Sequence, residues 1–331
     1  MNPSFKSKIS CGGSEVESLS SFFQFEKPHP FSLSSSIVTR WFRTLRYMSG
    51  EMSTRPVSCW EKGRLIGRGT FGLVYVGINS ETGETCAMKE VTFSHQFRQV
   101  CLQYVMEITL LSRLRHPNIV HYRDSEIVNN NLYICLEYVS GGSICKILRE
   151  NGELGESAIR SYTQQILSGL AYLHSENTAH SDIRGANILV DPSGQVKLAD
   201  FGIAKHIRGQ LHPISFRGNA YWMAPEVIRD SNGCNLAADI WSLGCTVIEM
   251  ATTQPPWSQY EQVAAVFKIA TSNELPVVPD NLSEEGKDFV QQCLQRNPQD
   301  RPTAIQLLGH PFLRNAASSS SESFLINLDP H

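Results

Sequence analysis

Residues 67–72 read Gly67-Arg68-Gly69-Thr70-Phe71-Gly72 and run directly into Leu73-Val74-Tyr75-Val76. A GxGxxG string by itself is weak evidence, because dinucleotide-binding folds and chance both produce it. Its surroundings decide the reading. A dinucleotide fingerprint needs a strand, the glycines and then a helix, whose N-terminus meets the phosphates. Here the residues after the glycines are β-branched and aromatic, which predicts a second strand. Strand, loop, strand suits a flap that covers phosphates from above, since glycine lets the backbone come close to a ligand.

Working outward, Cys86-Ala87-Met88-Lys89 lies on the next predicted strand, with Ala87 and Lys89 on one face by the period of two. An ammonium there reaches nucleotide phosphates. Leu102, Val105, Met106, Leu110 and Leu114 recur at helical spacing and stop before Pro117, so one helix interrupts the strands. Glu107 sits in that helix as the natural partner of Lys89. Strands are expected at Leu65–Ile66, Leu73–Ile78, Thr85–Val91 and Leu132–Tyr138, with a Thr82-Gly83 turn joining the second to the third. Beyond residue 155 helices dominate. Ile159, Tyr162, Ile166, Leu170 and Leu173 mark an amphipathic helix, and Ala237–Ala251 is apolar on nearly every face, as a buried central helix would be. Ser283 before Glu284 and Glu285 reads as an N-cap with an acidic first turn.

Further along come His180-Ser181-Asp182-Ile183-Arg184-Gly185-Ala186-Asn187, then Asp200-Phe201-Gly202, then Ala224-Pro225-Glu226. In this order and spacing the motifs resemble the protein-kinase signature set, over roughly residues 60–313. The finer wording of Glu137-Tyr138-Val139-Ser140-Gly141-Gly142-Ser143, Gly185–Val190 and Tyr221–Glu226 is similar to MAP kinase kinase kinases, in particular plant MEKK-type, YODA-like members. The resemblance implies an α+β fold of two lobes: a small β-rich N-lobe with one helix over residues 58–139 and a larger helical C-lobe over 140–313. It also implies a Ser/Thr kinase that uses ATP and Mg²⁺ and has MAP kinase kinases as protein substrates.

Roles follow residue by residue from that resemblance. Gly67 to Gly72, including Arg68, Thr70 and Phe71, cover the phosphates; Val74 and Ala87 lie over adenine; Lys89 holds the α and β phosphates and Glu107 holds Lys89. Leu136 is the gatekeeper, the main chain of Glu137 and Val139 bonds the adenine edge, and Leu189 closes the floor. Asn187 and Asp200 are the magnesium ligands, a donor set of hard oxygens. Asp182 is the base that orients the substrate hydroxyl, and Arg184 neutralises the γ phosphate. His180 reads as a core histidine. Glu226 with Arg301 is the expected structural ion pair, and Asp239 braces the catalytic loop.

Three departures from the family pattern lie near the reaction centre. Ser181 replaces the Arg before the base, Arg184 replaces Lys, and Asn219 with Ala220 replaces Ser/Thr with Pro. Ser215 is the only Ser or Thr between Asp200 and Glu226, and without the Arg at 181 a phosphate there loses its main anchor, leaving Lys205, Arg208 and Arg217. Two readings result: an active but attenuated kinase, and, as the alternative, an ATP-binding pseudokinase acting as scaffold or competitor in the same cascade.

Composition bounds the remainder. A formal charge of −3 from 29 basic and 32 acidic residues removes the bulk attraction typical of nucleic-acid binders. The nine cysteines are scattered without a CxxC pair, which predicts reduced thiols and a cytoplasmic or nuclear setting. No run of 18 apolar residues predicts a membrane span. Residues 1–57, rich in Ser and Phe and broken by turn formers, read as a disordered leader; Glu15, Glu17 and Glu26 argue against a transit peptide. Ser318–Ser321 and Ser323 predict a disordered tail over 314–331.

Overall fold

The computed structural model describes residues 59–69, 72–92, 107–128, 131–201, 205–206, 220–229 and 235–314. The expected leader, the tail beyond Arg314, and Thr70, Phe71, Leu102, Val105, Met106, Gly202, Arg208, Ser215, Arg217 and Asn219 lie outside the described residues.

Five antiparallel strands form the first sheet, in the order β1-β2-β3-β5-β4. They are β1 (Trp60–Gly69), β2 (Gly72–Asn79), β3 (Thr85–Thr92), β4 (Tyr122–Val128) and β5 (Asn131–Glu137). The turn between β2 and β3 is built by Asn79, whose Oδ1 accepts the N–H groups of Glu81 and Thr82, both at 2.9 Å. Gly83 completes it at φ +71°, where a side chain would be strained. β2, β3 and β5 lie where the sequence predicts strands, and β1 extends well beyond the predicted Leu65–Ile66. β4 is a strand that the sequence does not predict. That strand carries Arg123, Asp124, Ser125 and Glu126, and only as an edge strand, pairing on one side, does so polar a stretch belong in a sheet.

Register sorts the side chains by face. Val74 stands opposite Lys89, and Ala87 opposite Leu136. Cys86 and Met88 point the other way and pack with Cys135 against Trp60 and Tyr133. Residues 107–111 are helical, with Glu107, Ile108 and Leu111 buried.

The remaining elements are mainly helical: α1 (Ile144–Asn151), α2 (Glu156–Ser175), α3 (Pro225–Arg229), α4 (Leu236–Thr252), α5 (Gln262–Thr271), α6 (Glu284–Cys293), α7 (Ala304–Leu308) and α8 (Pro311–Arg314). Arg314, read as the first residue of the tail, closes the last helix. Two short two-stranded antiparallel sheets lie among them, β6 (Thr178–Ala179) with β9 (Lys205–His206) and β7 (Ile188–Val190) with β8 (Val196–Leu198). As its composition predicts, α4 is buried along nearly its whole length, and Trp241, Phe289, Phe312, Ile166 and Leu170 meet in one core. No helix among the described residues is long and apolar enough to cross a membrane.

Ser283 caps α6 by accepting the N–H of Gly286 at 3.2 Å, as the sequence predicts. The same residue joins α6 to α2, because Glu156 Oε2 accepts the Ser283 N–H at 2.5 Å while Arg160 bonds Oε1 at 2.5 Å. Burial pushes the Glu156 carboxyl up, but Ser283 and Arg160 outweigh it and hold the group below its ordinary value. A depressed carboxylate contributes stability that is present above its unfolded value and is lost as pH falls through the folded one. Glu156→Gln is therefore expected to cost about 1 kcal/mol near pH 7, with a gap to the wild type that closes below about pH 4. Urea denaturation at the two pH values measures this; an equal gap at both contradicts it.

Candidate active site

The glycine-rich stretch forms the tip of a hairpin, Gly67 pairing with Val74 and Gly69 with Gly72. Strand follows strand there, which fits the flap and rules out a dinucleotide fingerprint. Beneath it, Val74, Ala87, Leu136 and Leu189 are half-buried and Val139 is buried. The main chain that follows β5 is anchored at Glu137, whose N–H donates to His121 O at 2.8 Å. Its carboxylate accepts the His121 N–H at 3.1 Å and meets Lys197 Nζ at 3.0 Å. Lys197, on β8, also donates to Pro117 O at 3.0 Å.

Lys89 on β3 bridges two carboxylates, its Nζ lying 3.0 Å from Glu107 Oε1 and 3.5 Å from Asp200 Oδ1. The Glu107 side chain is only 3% exposed, so this is no solvated surface pair. Burial raises the Glu107 carboxyl above its ordinary value; Lys89 opposes that rise and the charge of Asp200 adds to it. The ammonium is thus held where two anions converge. Asp200 adopts φ +62°, a left-handed conformation that costs energy and is concentrated at working sites.

The loop between β6 and β7 carries the second group of residues. His180 is fully buried, with Nε2 3.1 Å from Ala199 O and its ring 4.8 Å from that of Phe201, which makes it the core histidine the sequence suggested. Asp239, at the start of α4, accepts the N–H groups of His180 and Ser181, each at 2.8 Å, and lies 2.9 Å from His174 Nε2. That clamp holds Ser181 at φ +68° and presents Asp182 next to it. The carboxylate of Asp182 accepts two side-chain donors, Arg184 Nε at 3.1 Å and Asn187 Nδ2 at 2.6 Å. Because the amide nitrogen of Asn187 is turned to Asp182, its carbonyl oxygen faces the opposite way. The Ala199 N–H donates to Asn187 O at 2.9 Å, which ties the chain just before Asp200 to this loop.

One participant had no signal in the sequence beyond a charge in an apolar helix. Glu249 of α4 accepts the Gly185 N–H at 2.9 Å and the Trp222 indole N–H at 3.0 Å. Burial raises its carboxyl, against the pull of those two donors and of Arg184. A Cβ at position 185 would stand 2.7 Å from Glu249 Oε1, so glycine is required for the approach. Glu226 and Arg301 form the expected pair, with two bonds of 2.6 and 2.7 Å.

Taken together, the arrangement offers an ammonium and close-approaching glycine backbone for phosphates. It also offers an amide oxygen and a carboxylate for a hard cation, and a carboxylate, Asp182, held by a guanidinium. These are groups suited to magnesium and a nucleoside triphosphate.

Comparison with known proteins agrees. Residues 60–313 match the model of the protein kinase domain. The chain is 64% identical over 289 residues to "Mitogen-activated protein kinase kinase kinase YODA" of Arabidopsis thaliana, covering 86% of this chain and 33% of that protein. It is 55% identical over 283 residues to "Mitogen-activated protein kinase kinase kinase 3" of the same plant, covering 85% and 46%. With "Mitogen-activated protein kinase kinase kinase A" of Dictyostelium discoideum the identity is 45% over 263 residues, covering 77% and 28%. The chain thus spans between about a quarter and a half of the length of these relatives.

Proposed function

The chain belongs to the protein kinase family, and on that premise we propose that it is a MAP kinase kinase kinase, transferring the γ-phosphoryl group of ATP to serine or threonine side chains of MAP kinase kinases. The observation that carries the reading is the convergence of Lys89, Glu107 and Asp200 beside a loop in which Asp182 is gripped by Arg184 and Asn187. The substrate class rests on the names of the relatives.

In this reading Asp182 receives the substrate hydroxyl, orients its oxygen in line with the phosphorus and accepts its proton as the new bond forms. Arg184 stays beside it as the positive charge nearest the transferring group. Lys89, fixed by Glu107, holds the α and β phosphates, and the main chain of Glu137 and Val139 receives the adenine edge. Magnesium, when bound by Asp200 and the amide oxygen of Asn187, supplies neutralisation of the triphosphate charge. Glu249 keeps Gly185, and hence the turn between Asp182 and Asn187, fixed to the segment that contains Trp222. Phosphoryl transfer asks mainly for such positioning and neutralisation, and the contacts of Lys89, Glu107, Asp182, Asn187 and Asp200 support the reading. The names of the relatives support the kinase reading over the scaffold alternative.

Attenuation is part of the proposal. A guanidinium that gives its Nε to Asp182 meets a phosphoryl oxygen with a planar fork, whereas an ammonium would meet it as a compact point charge. Arg184→Lys is accordingly expected to raise kcat several-fold with little change in the KM for ATP; a fall in kcat contradicts it. The reading as a whole is tested by transfer from magnesium-ATP to a catalytically dead MAP kinase kinase. Folded, ATP-binding protein that transfers nothing overturns it.

A further inference from the structure

A cavity of about 400 Å³ that shares no residue with the phosphoryl-transfer site is lined by Glu226, Arg229, Asn273, Arg296, Asn297 and Pro298. Its charges do not balance. Both oxygens of Glu226 are taken by Arg301, at 2.6 and 2.7 Å, so that pair is neutral by itself. Arg229 donates its Nε to Ala270 O at 2.5 Å. Arg296 donates one Nη to Glu274 O at 2.6 Å and the other to Ile269 O. These acceptors are all uncharged carbonyls near the end of α5. Among the described residues neither guanidinium has a carboxylate within ion-pair distance.

Tying down the last carbonyls of a helix is a sufficient structural use for one arginine. It does not account for two in one cavity, each with part of its five-donor fork still uncommitted. Burial, and after it the charges of Arg229 and Arg301, push Arg296 below its ordinary value, with Glu226 alone opposing them. The place is thus one of excess positive charge, and an anion relieves it.

We propose that this cavity binds a phosphate group between Arg229 and Arg296. Guanidinium forks match phosphate oxygens two at a time, and two of them balance a dianion, whereas a carboxylate would leave one charge over. Asn273 and Asn297 supply neutral donors at the rim; Asn297 already gives one N–H to Asp300 Oδ2 at 3.0 Å and its Oδ1 accepts the Gln299 N–H. A bound phosphate joins α3, which carries Arg229, to the segment after α6, which carries Arg296. Because α3 begins three residues after Trp222, the site acts on the same segment that Glu249 holds. The phosphate is either the free ion or the phosphoryl group of a modified side chain.

The test uses the full chain with its nucleotide site saturated by magnesium and a non-hydrolysable ATP analogue, at constant ionic strength. Inorganic phosphate, a short phosphoserine peptide and the same peptide without phosphate are titrated calorimetrically. Saturable binding of phosphate or phosphopeptide is expected, weakened about tenfold or more by Arg229→Gln, a change at an exposed position. Arg296→Lys, which keeps the charge and loses the fork, should weaken it less. A phosphopeptide at least tenfold tighter than the free ion identifies a modified protein as the source, and equal affinities identify the ion. Binding of neither, or affinities unchanged in Arg229→Gln, overturns the proposal.

Discussion

Asp182→Asn is expected to lower phosphoryl transfer by about two to four orders of magnitude, the range associated with losing a positioned proton acceptor. The side chain is nearly isosteric, yet it differs in a second way that the geometry makes explicit. Asp182 serves two donors with two oxygens, Arg184 at Oδ1 and Asn187 at Oδ2. An amide has one oxygen and can serve only one of them. The variant therefore also loosens Asn187, which sits 6% exposed immediately before β7. Transfer should collapse while stabilisation of the fold by ATP persists, because Lys89 and the hairpin are untouched. Single-turnover transfer together with thermal shifts on adding ATP checks both halves. Residual transfer within tenfold of the wild type would remove Asp182 from the proton's path.

The second large effect concerns folding. The Arg301 side chain is fully buried, with two bonds to Glu226, further ones to Gln295 O and Ala237 O at 2.7 and 2.9 Å, and its guanidinium 5.2 Å from the Trp241 ring. It joins α3, the first turn of α4 and the segment before α7. Arg301→Met leaves Glu226 without its cation and those carbonyls without a donor, at a cost of about 3–5 kcal/mol. For a unit of this size that lowers the Tm by roughly 10 °C. Removing both partners as Glu226→Met with Arg301→Met should recover part of the loss, since the stranded charge goes with its partner. Calorimetry decides; a Tm within 2 °C of the wild type shows the pair to be dispensable.

Strands β2, β3 and β5 were legible because their residues alternate, and α4 because its apolar run exceeds what one face of a helix can use. The edge strand β4 was illegible for the converse reason: its pairing depends on β5, and its own side chains are largely polar. At the site, Lys89 could be read from its strand position after the glycine loop, whereas Asp182, Asn187 and Asp200 were legible through the resemblance of their motifs to the protein-kinase signature set. Glu249 could not. It acts through the main chain of Gly185, 64 residues away, and a main-chain partner leaves no residue type to recognise. The contact of Arg184 with Asp182 was likewise hidden, because sequence records the charge at 184 and not which way its fork turns. The cavity between α3 and the end of α5 is a product of tertiary packing alone.

The grip of Asp239 on the catalytic loop has a consequence for how this protein tolerates change. Its carboxylate holds His180 and Ser181 by their N–H groups and takes no part in recognising what side chain stands at 181. Natural variation can therefore exchange the residue there without moving Asp182. If an arginine stands there in the family pattern as the anchor of a phosphorylated loop, its exchange alters that control while the chemistry beside it keeps its shape. Regulation and catalysis, adjacent in the chain, are free to drift apart over evolutionary time.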